Sequence, residues 1–266
     1  MARRKKKLGS LGAAKTCVVS AGNGVEFEND LDTDKMKLSK EQCDRFPVGS
    51  WLGRGSFASA YEHATDSDKV VKFTGDAREA AVASRFLGKR LKGSVTIFDI
   101  AKLKGKKAIA PVFNKGFSDT TYKPGQPVFA LVTERVGKLS RVNAEAVADM
   151  NRRLRPHRED IAKVKPSQFR LADWVDAGDV AANCEFTTGN RKACDVAAQA
   201  VFDAVDEQAA NGVIPLDLHS GNWGERADGS PVILDFGVSS APGPGPKIAL
   251  AKAPKTRRMA RSRRVR

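Results

Sequence analysis

The pattern of hydrophobic and polar positions changes near Gly137. Before it, short apolar runs rich in β-branched residues, such as Lys69–Phe73 and Pro127–Val136, alternate with glycines and charges and predict strands. Between these runs, Asp76 opens a helix that stops at Gly88, because Asp is a favoured N-cap and Gly a favoured helix end. This half therefore predicts a small, mostly antiparallel sheet with one helix. Further strands are predicted at 94–105 and 107–117.

Beyond Gly137 the apolar residues recur three and four positions apart, which predicts helices. The predicted helical segments are 144–165, 167–180 and 193–212. The last of them carries an apolar stripe formed by Val196, Ala200, Val201, Ala204 and Val205. A buried strand is predicted at 231–237, and a Pro/Gly-rich break follows it.

These patterns divide the chain into four segments and predict an α+β fold, and the length allows either one large domain or two small lobes around a cleft. The predicted segments are an N-terminal arm with a basic start (1–45), a sheet-rich lobe (46–137), a reduced, mainly helical lobe (138–240) and a Pro/Gly-rich, basic tail (241–266). The 266 residues suffice for this arrangement, and hydrophobic residues make up 41%, as in ordinary globular proteins.

Charge is concentrated at the two ends of the chain. Residues 1–15 hold six Lys/Arg and residues 247–266 hold nine, without any acid in either segment. Subtracting these fifteen from 46 basic residues leaves 31, which equals the number of Asp and Glu, so the body is neutral. Such tails can contact nucleic acid or another acidic partner, or they can be solvated arms.

Two absences lead to expectations about location and redox state. No apolar run approaches the roughly 18 residues of a membrane span, and no apolar segment follows the basic start, so a cytoplasmic protein without membrane contact is expected. The cysteines form no CxxC pair and lack metal-ligand spacing from the histidines, so we expect reduced thiols rather than a zinc site or disulfides. These residues are Cys17, Cys43, Cys184, Cys194, His63, His157 and His219.

A glycine-containing turn is the first feature that indicates chemistry. Gly53, Gly55, Ser56 and Phe57 lie between two predicted strands, and Ala58 follows them. Glycines at such a turn let backbone N–H groups approach a phosphate chain, although glycines also form plain hairpins.

Lys72 and Glu79 form the second candidate pair. Lys72 lies within the predicted strand that follows the turn, where its side chain can reach phosphate oxygens. Glu79 lies on the next predicted helix and can pair with Lys72, although either residue by itself is most often a surface charge.

A loop and a strand end supply the strongest signal, in the sequences Asp217-Leu-His-Ser-Gly-Asn222 and Ile-Leu-Asp235-Phe-Gly. Asp217 can orient or deprotonate an attacking hydroxyl, while Asn222 and Asp235 offer oxygen ligands to magnesium. Convergence of these groups near a phosphate-binding lysine is what phosphoryl transfer requires. The alternative without chemistry is an Asx-rich loop followed by a turn at the end of a strand.

These motifs resemble the protein-kinase-like superfamily over roughly Trp51 to Val238. The Asp217–Asn222 loop is also similar to that of aminoglycoside and choline phosphotransferases. The overall pattern is closest to the early host-takeover serine/threonine kinases of T-seven-like phages. The resemblance implies a two-lobed protein-kinase-like fold, with a small antiparallel sheet in the N-lobe and a reduced, mainly helical C-lobe. It also implies ATP and Mg²⁺ as cofactors, protein substrates that include host proteins, and Glu134–Val136 as the adenine-binding connection.

The chain departs from the kinase pattern in two places. Pro215-Leu216 replaces the His-Arg that usually precedes the catalytic Asp, which argues against control through that arginine by a phosphorylated activation loop. Only 29 residues follow Gly237, so no room remains for the large peptide-gripping helical subdomain of eukaryotic kinases. His219 is expected to pack, or to support its loop by hydrogen bonding.

Three functions fit the sequence. The first is a phage-type serine/threonine protein kinase, in which Lys72 and the glycine turn hold ATP. The second is a small-molecule phosphotransferase of the aminoglycoside type, which predicts an acidic acceptor pocket. The third is a non-catalytic kinase-like module that binds nucleotide or acts through its tails.

Deletion of residues 1–15 and 247–266 distinguishes the two interpretations of the tails. Contact with nucleic acid predicts that the deletion lowers both the affinity and its dependence on salt, because fewer counterions are released on binding. Solvated arms predict that both stay unchanged in a salt series of filter-binding or anisotropy titrations.

Overall fold

The structure is a computed structural model that describes residues 16–20, 35–54, 58–103, 128–236 and 239–240. Within these ranges the protein is α+β, with a five-stranded antiparallel sheet followed by a mainly helical half. This agrees with the predicted class and order of elements. Among the described residues, no helix is both long and apolar enough to cross a membrane.

The strands of the described chain form four sheets. The main sheet has the order β3-β4-β5-β7-β6 and every neighbouring pair is antiparallel, while β1–β2, β9–β10 and β8–β11 form two-stranded pairs. The strands are β1 Thr16–Ser20, β2 Lys35–Ser39, β3 Val48–Arg54, β4 Ala58–His63, β5 Lys69–Thr74, β6 Ile97–Lys102, β7 Phe129–Glu134, β8 Ile214–Pro215, β9 Trp223–Glu225, β10 Pro231–Ile233 and β11 Ser239–Ser240.

The helices lie mostly in the second half of the chain. They are α1 Lys40–Arg45, α2 Ala77–Phe86, α3 Arg141–Leu154, α4 Arg158–Ile161, α5 Ala177–Thr188 and α6 Arg191–Ala210. Short 3-10 turns cover Arg155–His157, Pro166–Gln168, Leu171–Asp173 and Ser220–Asn222.

The main sheet is apolar on both faces because its central strands alternate between two hydrophobic clusters. On β7, Phe129 and Leu131 pack with α2 and the helical half, while Ala130 and Val132 point to the opposite face. That opposite face is covered by Phe46, which is fully buried. The strand predicted at Pro127–Val136 is therefore confirmed as a buried one, with bounds Phe129–Glu134.

Helix α2 begins and ends as predicted. The Asp76 carboxylate accepts hydrogen bonds from the backbone N–H groups of Arg78 and Glu79, at 2.7 and 3.3 Å. Gly88 lies just past the helix with φ of 74°, a left-handed conformation that glycine adopts without steric cost. This cap fixes the first turn of α2, which carries Glu79.

The helical half is more broken than the periodicity predicts. The segment 144–165, which was predicted to be one helix, is divided in the structure. Helix α3 ends at Leu154, and a 3-10 turn and the short α4 follow it, because Pro156 removes a helical N–H. The segment 167–180 forms 3-10 turns until Asp176 caps α5. The strand predicted at 231–237 is limited to β10.

The predicted apolar stripe on α6 is partly wrong. Val201, Ala204 and Val205 are buried, and Ala200 is half-buried, but Val196 is 65% exposed. Val196 lies five positions before Val201, which rotates it about 140° around the helix from the buried face. Residues of the preceding turn that face the core are Cys194, Ala197 and Ala198.

The expectation of reduced thiols is wrong for the described cysteines. Cys184 on α5 and Cys194 on α6 form a disulfide that spans ten residues, and Cys43 is disulfide-bonded as well. A tight turn between α5 and α6, with Gly189 at φ of 73°, reverses the chain and brings the two cysteines together. A pairing across two helices leaves no CxxC signature, which is why spacing alone did not reveal it.

Two other predicted regions have different outcomes. Within the predicted arm, Thr16–Ser20 pairs with Lys35–Ser39 and α1 follows, so regular structure occurs where no period was evident. Of the two further predicted strands, 94–105 contains β6. The other, at 107–117, lies outside the described residues.

The connection between α2 and β6 is docked on the helical half of the protein. Gly93 accepts a hydrogen bond from the Ile233 N–H at 2.9 Å and donates one to the Glu207 carboxylate at 2.6 Å. The Ser94 hydroxyl accepts a hydrogen bond from the buried amide of Gln208, at 2.8 Å. These contacts join the end of α2 to β10 and α6.

Gly93 is predicted to be essential for this docking. A Cβ at Gly93 would lie 2.2 Å from the Cα of Ala204. Because this neighbour is a backbone atom, no change of side-chain rotamer can relieve the clash. Gly93→Ala should therefore lower the free energy of unfolding by about 2 kcal/mol or more in urea titrations. Gly137→Ala is the matched control, because its nearest contact would be an ordinary 3.5 Å, and an equal loss in both variants would contradict the prediction.

Candidate active site

Lys72 projects from the middle of the main sheet towards α2. It lies on β5 between Val71 and Phe73, both of which point to the opposite face, and it pairs across the sheet with Leu131. Because side chains alternate along a strand, Lys72 shares the α2-facing side with Leu131. The predicted strand at Lys69–Phe73 is therefore confirmed as β5, and the side chain of Lys72 points from it into the protein.

Lys72 contacts two carboxylates in this interior position. Its Nζ forms an ion pair with Glu79 of α2 and lies 3.5 Å from the Asp235 Oδ2. The Lys72 side chain is 15% exposed and that of Glu79 only 2%. Burial acts to lower the pKa of Lys72, but the combined attraction of Glu79 and Asp235 outweighs it, and the pKa of Lys72 is raised. The ammonium is therefore charged at neutral pH.

Asp235 follows the short strand β10 and is held by its neighbours. Leu234 donates its N–H to the Asn222 carbonyl at 2.8 Å, which connects this segment to the Asp217–Asn222 loop. Phe236 is buried and meets Phe86 of α2 edge-on, with ring centroids 5.4 Å apart. Asp235 is thereby fixed between the loop and α2.

Asp217 and Asn222 are linked within their loop. The Asn222 side-chain amide donates a hydrogen bond to the Asp217 carbonyl at 2.8 Å, which turns the amide oxygen away from that contact. Leu218, between them, is fully buried and anchors the loop in the core. The structure therefore brings Asn222, Asp217 and Asp235 together, and Asp235 joins them to Lys72 and Glu79.

His219 supports the loop by hydrogen bonding rather than by packing, since its side chain is 54% exposed. Its Nδ1 accepts the Gly221 N–H at 3.1 Å. In a neutral imidazole the proton is then on Nε2, and this atom lies 3.6 Å from the Asp217 Oδ2.

Arg158 is a residue of this site that sequence reasoning missed. Its Nη2 lies 3.8 Å from the Asp217 Oδ1 and donates a hydrogen bond to the Asn151 Oδ1 at 3.0 Å. Arg158 begins α4, far from the loop in sequence, and no motif spacing connects the two. Only the tertiary packing of α3 and α4 reveals it.

The Glu134 side chain is occupied by contacts within the protein. Its two carboxylate oxygens accept hydrogen bonds from the Arg226 guanidinium at 2.8 and 2.9 Å, and one also accepts the Thr96 N–H at 3.1 Å. Val136 is half-buried and packs against Gly224, where a Cβ would lie 2.4 Å from its Cγ2. The Glu134 carboxylate is therefore occupied within the protein, and the Glu134 backbone N–H donates a hydrogen bond to the Thr96 carbonyl at 2.9 Å.

Arg226 connects this segment to the α2–β6 connection. Besides Glu134, its guanidinium donates to the carbonyls of Lys92, Ser94 and Leu91, at 2.6, 2.8 and 3.1 Å. All three nitrogens of the guanidinium have acceptors. Arg226 directly follows β9, so its hydrogen bonds connect the end of this strand both to Glu134 and to the segment after α2.

The glycine turn is only partly described. Gly53 lies near the end of β3, and a Cβ there would meet nothing within 4 Å. The predicted phosphate-contacting residues Gly55, Ser56 and Phe57 lie outside the described residues.

The donor set fits magnesium rather than a transition metal. In the described part of the chain no cluster of three or more His, Cys, Asp and Glu side chains has the arrangement of a metal site. The Asn222 amide oxygen and the Asp235 carboxylate are hard donors, and Mg²⁺ ordinarily takes one or two protein oxygens together with phosphate oxygens. These two residues could hold it.

No protein-family model and no curated protein sequence matches the chain.

The Arg226–Glu134 pair should make stability depend on pH. The hydrogen bonds from Arg226 hold the pKa of Glu134 below its usual value of 4.5. The unfolded chain therefore takes up the proton more readily, so the pair stabilises the fold above about pH 4.5, and this contribution is lost as the pH falls through the folded-state pKa.

Glu134→Gln tests this dependence in urea titrations. The variant should be less stable than the wild type by about 1–3 kcal/mol at neutral pH, and the difference should shrink at about pH 3.5. Glu159→Gln, at an exposed position of α4, serves as the control and should change little. A difference that is the same at both pH values would contradict the assignment.

Proposed function

We propose that the protein is an ATP-dependent phosphotransferase with a protein-kinase-like fold, which acts on serine and threonine hydroxyls of proteins. The observation that carries this proposal is the position of Lys72 between Glu79 and Asp235, with Asp235 tied to the loop of Asp217 and Asn222. A strand lysine paired with a helix glutamate, a loop Asp and Asn, and an Asp before Phe-Gly are the parts that protein kinases use.

The nucleotide would be bound by groups from both halves of the protein. Lys72 supplies a charged ammonium for phosphate oxygens, and Glu79 fixes its direction. Asn222 and Asp235 would hold Mg²⁺, which neutralises the charge of the phosphates when it is bound. Gly53 lies near the end of β3, which pairs with β4, and β4 pairs with the strand that carries Lys72. The glycine turn that the sequence predicts would cover the phosphates.

Asp217 acts on the acceptor. It accepts the hydrogen bond of the attacking hydroxyl and orients the oxygen towards the γ-phosphorus of ATP. A new bond forms between that oxygen and phosphorus, and the bond to the bridging oxygen breaks with its electron pair leaving on ADP. The hydroxyl proton passes to Asp217 and then to water, so atoms and charge balance.

The described surroundings of Asp217 favour a protein acceptor over a polycationic small molecule. The groups that face its carboxylate are the guanidinium of Arg158 and the imidazole of His219. An acceptor pocket for an aminoglycoside would need carboxylates in these places, because its substrate carries several ammonium groups.

Transfer of label from γ-labelled ATP tests the function directly. The purified protein is incubated with Mg²⁺ and a bacterial cell extract, and labelled proteins are hydrolysed to identify the phosphorylated amino acid. Label should appear on serine and threonine. Asp235→Asn and Asp217→Asn should each lower it by about a hundredfold or more, because each removes a group needed at the reacting phosphate.

Asp203→Asn is the matched control, since it removes an exposed carboxylate whose hydrogen-bond partner is Gln199 of the same helix, and it should retain wild-type labelling. Transfer to a small molecule without label on protein would replace the protein-kinase assignment with the small-molecule one. Protein that neither transfers label nor binds ATP would contradict the proposal.

A further inference from the structure

The two oxygens of the Asp217 carboxylate face different nitrogen donors. Arg158 Nη2 lies 3.8 Å from Oδ1, and His219 Nε2 lies 3.6 Å from Oδ2. Both distances exceed hydrogen-bond length, so neither donor occupies a lone pair of the carboxylate. A charge at such a distance still attracts the carboxylate and restricts its rotation. The two oxygens of Asp217 thus lie beside two nitrogen donors without being hydrogen-bonded to either.

Arg158 is itself held by a different part of the fold. Its Nη2 donates to the Asn151 Oδ1 at 3.0 Å, and Asn151 lies in the last turn of α3. The guanidinium is therefore fixed to the helical half independently of the loop that carries Asp217. Its side chain is 35% exposed, as is that of Asp217, so both reach the surface on which an acceptor would lie.

Arg158 makes fewer hydrogen bonds than Arg226 does. Every nitrogen of the Arg226 guanidinium donates to a carbonyl or carboxylate oxygen. The Nε of Arg158 is instead buried without a hydrogen-bond partner among the described residues. The Arg158 guanidinium contacts its surroundings through Nη2, which reaches both Asn151 and Asp217. What the position of Arg158 provides is a positive charge beside Asp217.

We propose that Arg158 is a positioning residue for phosphoryl transfer, which acts through Asp217. It holds the carboxylate in the orientation that accepts the proton of the acceptor hydroxyl. This inference rests on the proposed function and assigns to it a residue that none of the sequence motifs contains. It also implies that α4, and not only the Asp217–Asn222 loop, forms part of the acceptor side of the site.

Steady-state kinetics separates this role from a structural one. Arg158→Gln should lower kcat by about tenfold to hundredfold, since misplacement of a reacting group has effects of this size. The affinity for ATP, measured by calorimetry, should stay within about twofold, because Lys72, Asn222 and Asp235 are unchanged. Arg158→Lys should retain an intermediate rate, because it keeps the charge but cannot contact Asn151 and Asp217 together.

Two further variants sharpen the test. Asn151→Ala releases the guanidinium and should lower kcat less than Arg158→Gln does, while the double variant should be no slower than Arg158→Gln alone. Lys163→Gln removes an exposed charge just after α4, where its partner is Asp160, and should leave kcat unchanged.

The outcomes distinguish this inference from the proposed function. An active wild type together with a fully active Arg158→Gln variant would overturn the role of Arg158 and leave the proposed function intact. Loss of kcat in proportion to ATP affinity or to the folded fraction would also overturn it. A wild type that transfers no phosphate would overturn the proposed function, and this inference with it.

Discussion

The buried ion pair between Lys72 and Glu79, extended by Asp235, is the contact on which the candidate site depends. An ion that leaves water loses roughly several kcal/mol of hydration free energy. The attraction between two buried charges offsets this loss only when the pair has good hydrogen-bond geometry. The pair therefore requires β5 and α2 to lie at one fixed distance. Because Asp235 comes from the second half of the chain, the same requirement fixes the sheet relative to the Asp217–Asn222 loop.

The fold meets this requirement by anchoring both ends of α2. The Asp76 cap fixes its first turn, and the connection to β6 is bound by Gly93 and by the guanidinium of Arg226 at its other end. Arg226 also holds Glu134, where the chain passes from the sheet to the helices. The arrangement of Lys72 and Glu79 is thus built into the described fold.

The sequence predicted what depends on local order and, through its motifs, that Asp235 lies close to Lys72, but it did not predict the other contacts between distant elements. The α2 cap, the buried strand β7 and the pairing of Lys72 with Glu79 followed from neighbouring residues, since a strand, a turn and a helix place them within reach. Arg158 and Arg226 could not be found in this way, because their partners are set by packing between separate elements. The Cys184–Cys194 disulfide joins two consecutive helices, and it was missed because no CxxC spacing marks it.

Calorimetric titration with ATP, in the presence and absence of Mg²⁺, tests the central claim most directly. The wild type should bind ATP more tightly when Mg²⁺ is present, and Asp235→Asn should abolish most of this difference while it retains the fold by circular dichroism. Lys72→Met should weaken binding under both conditions, because it removes the ammonium that faces the phosphates. Binding that is absent in the wild type, or that responds to Mg²⁺ equally in Asp235→Asn, would contradict the account.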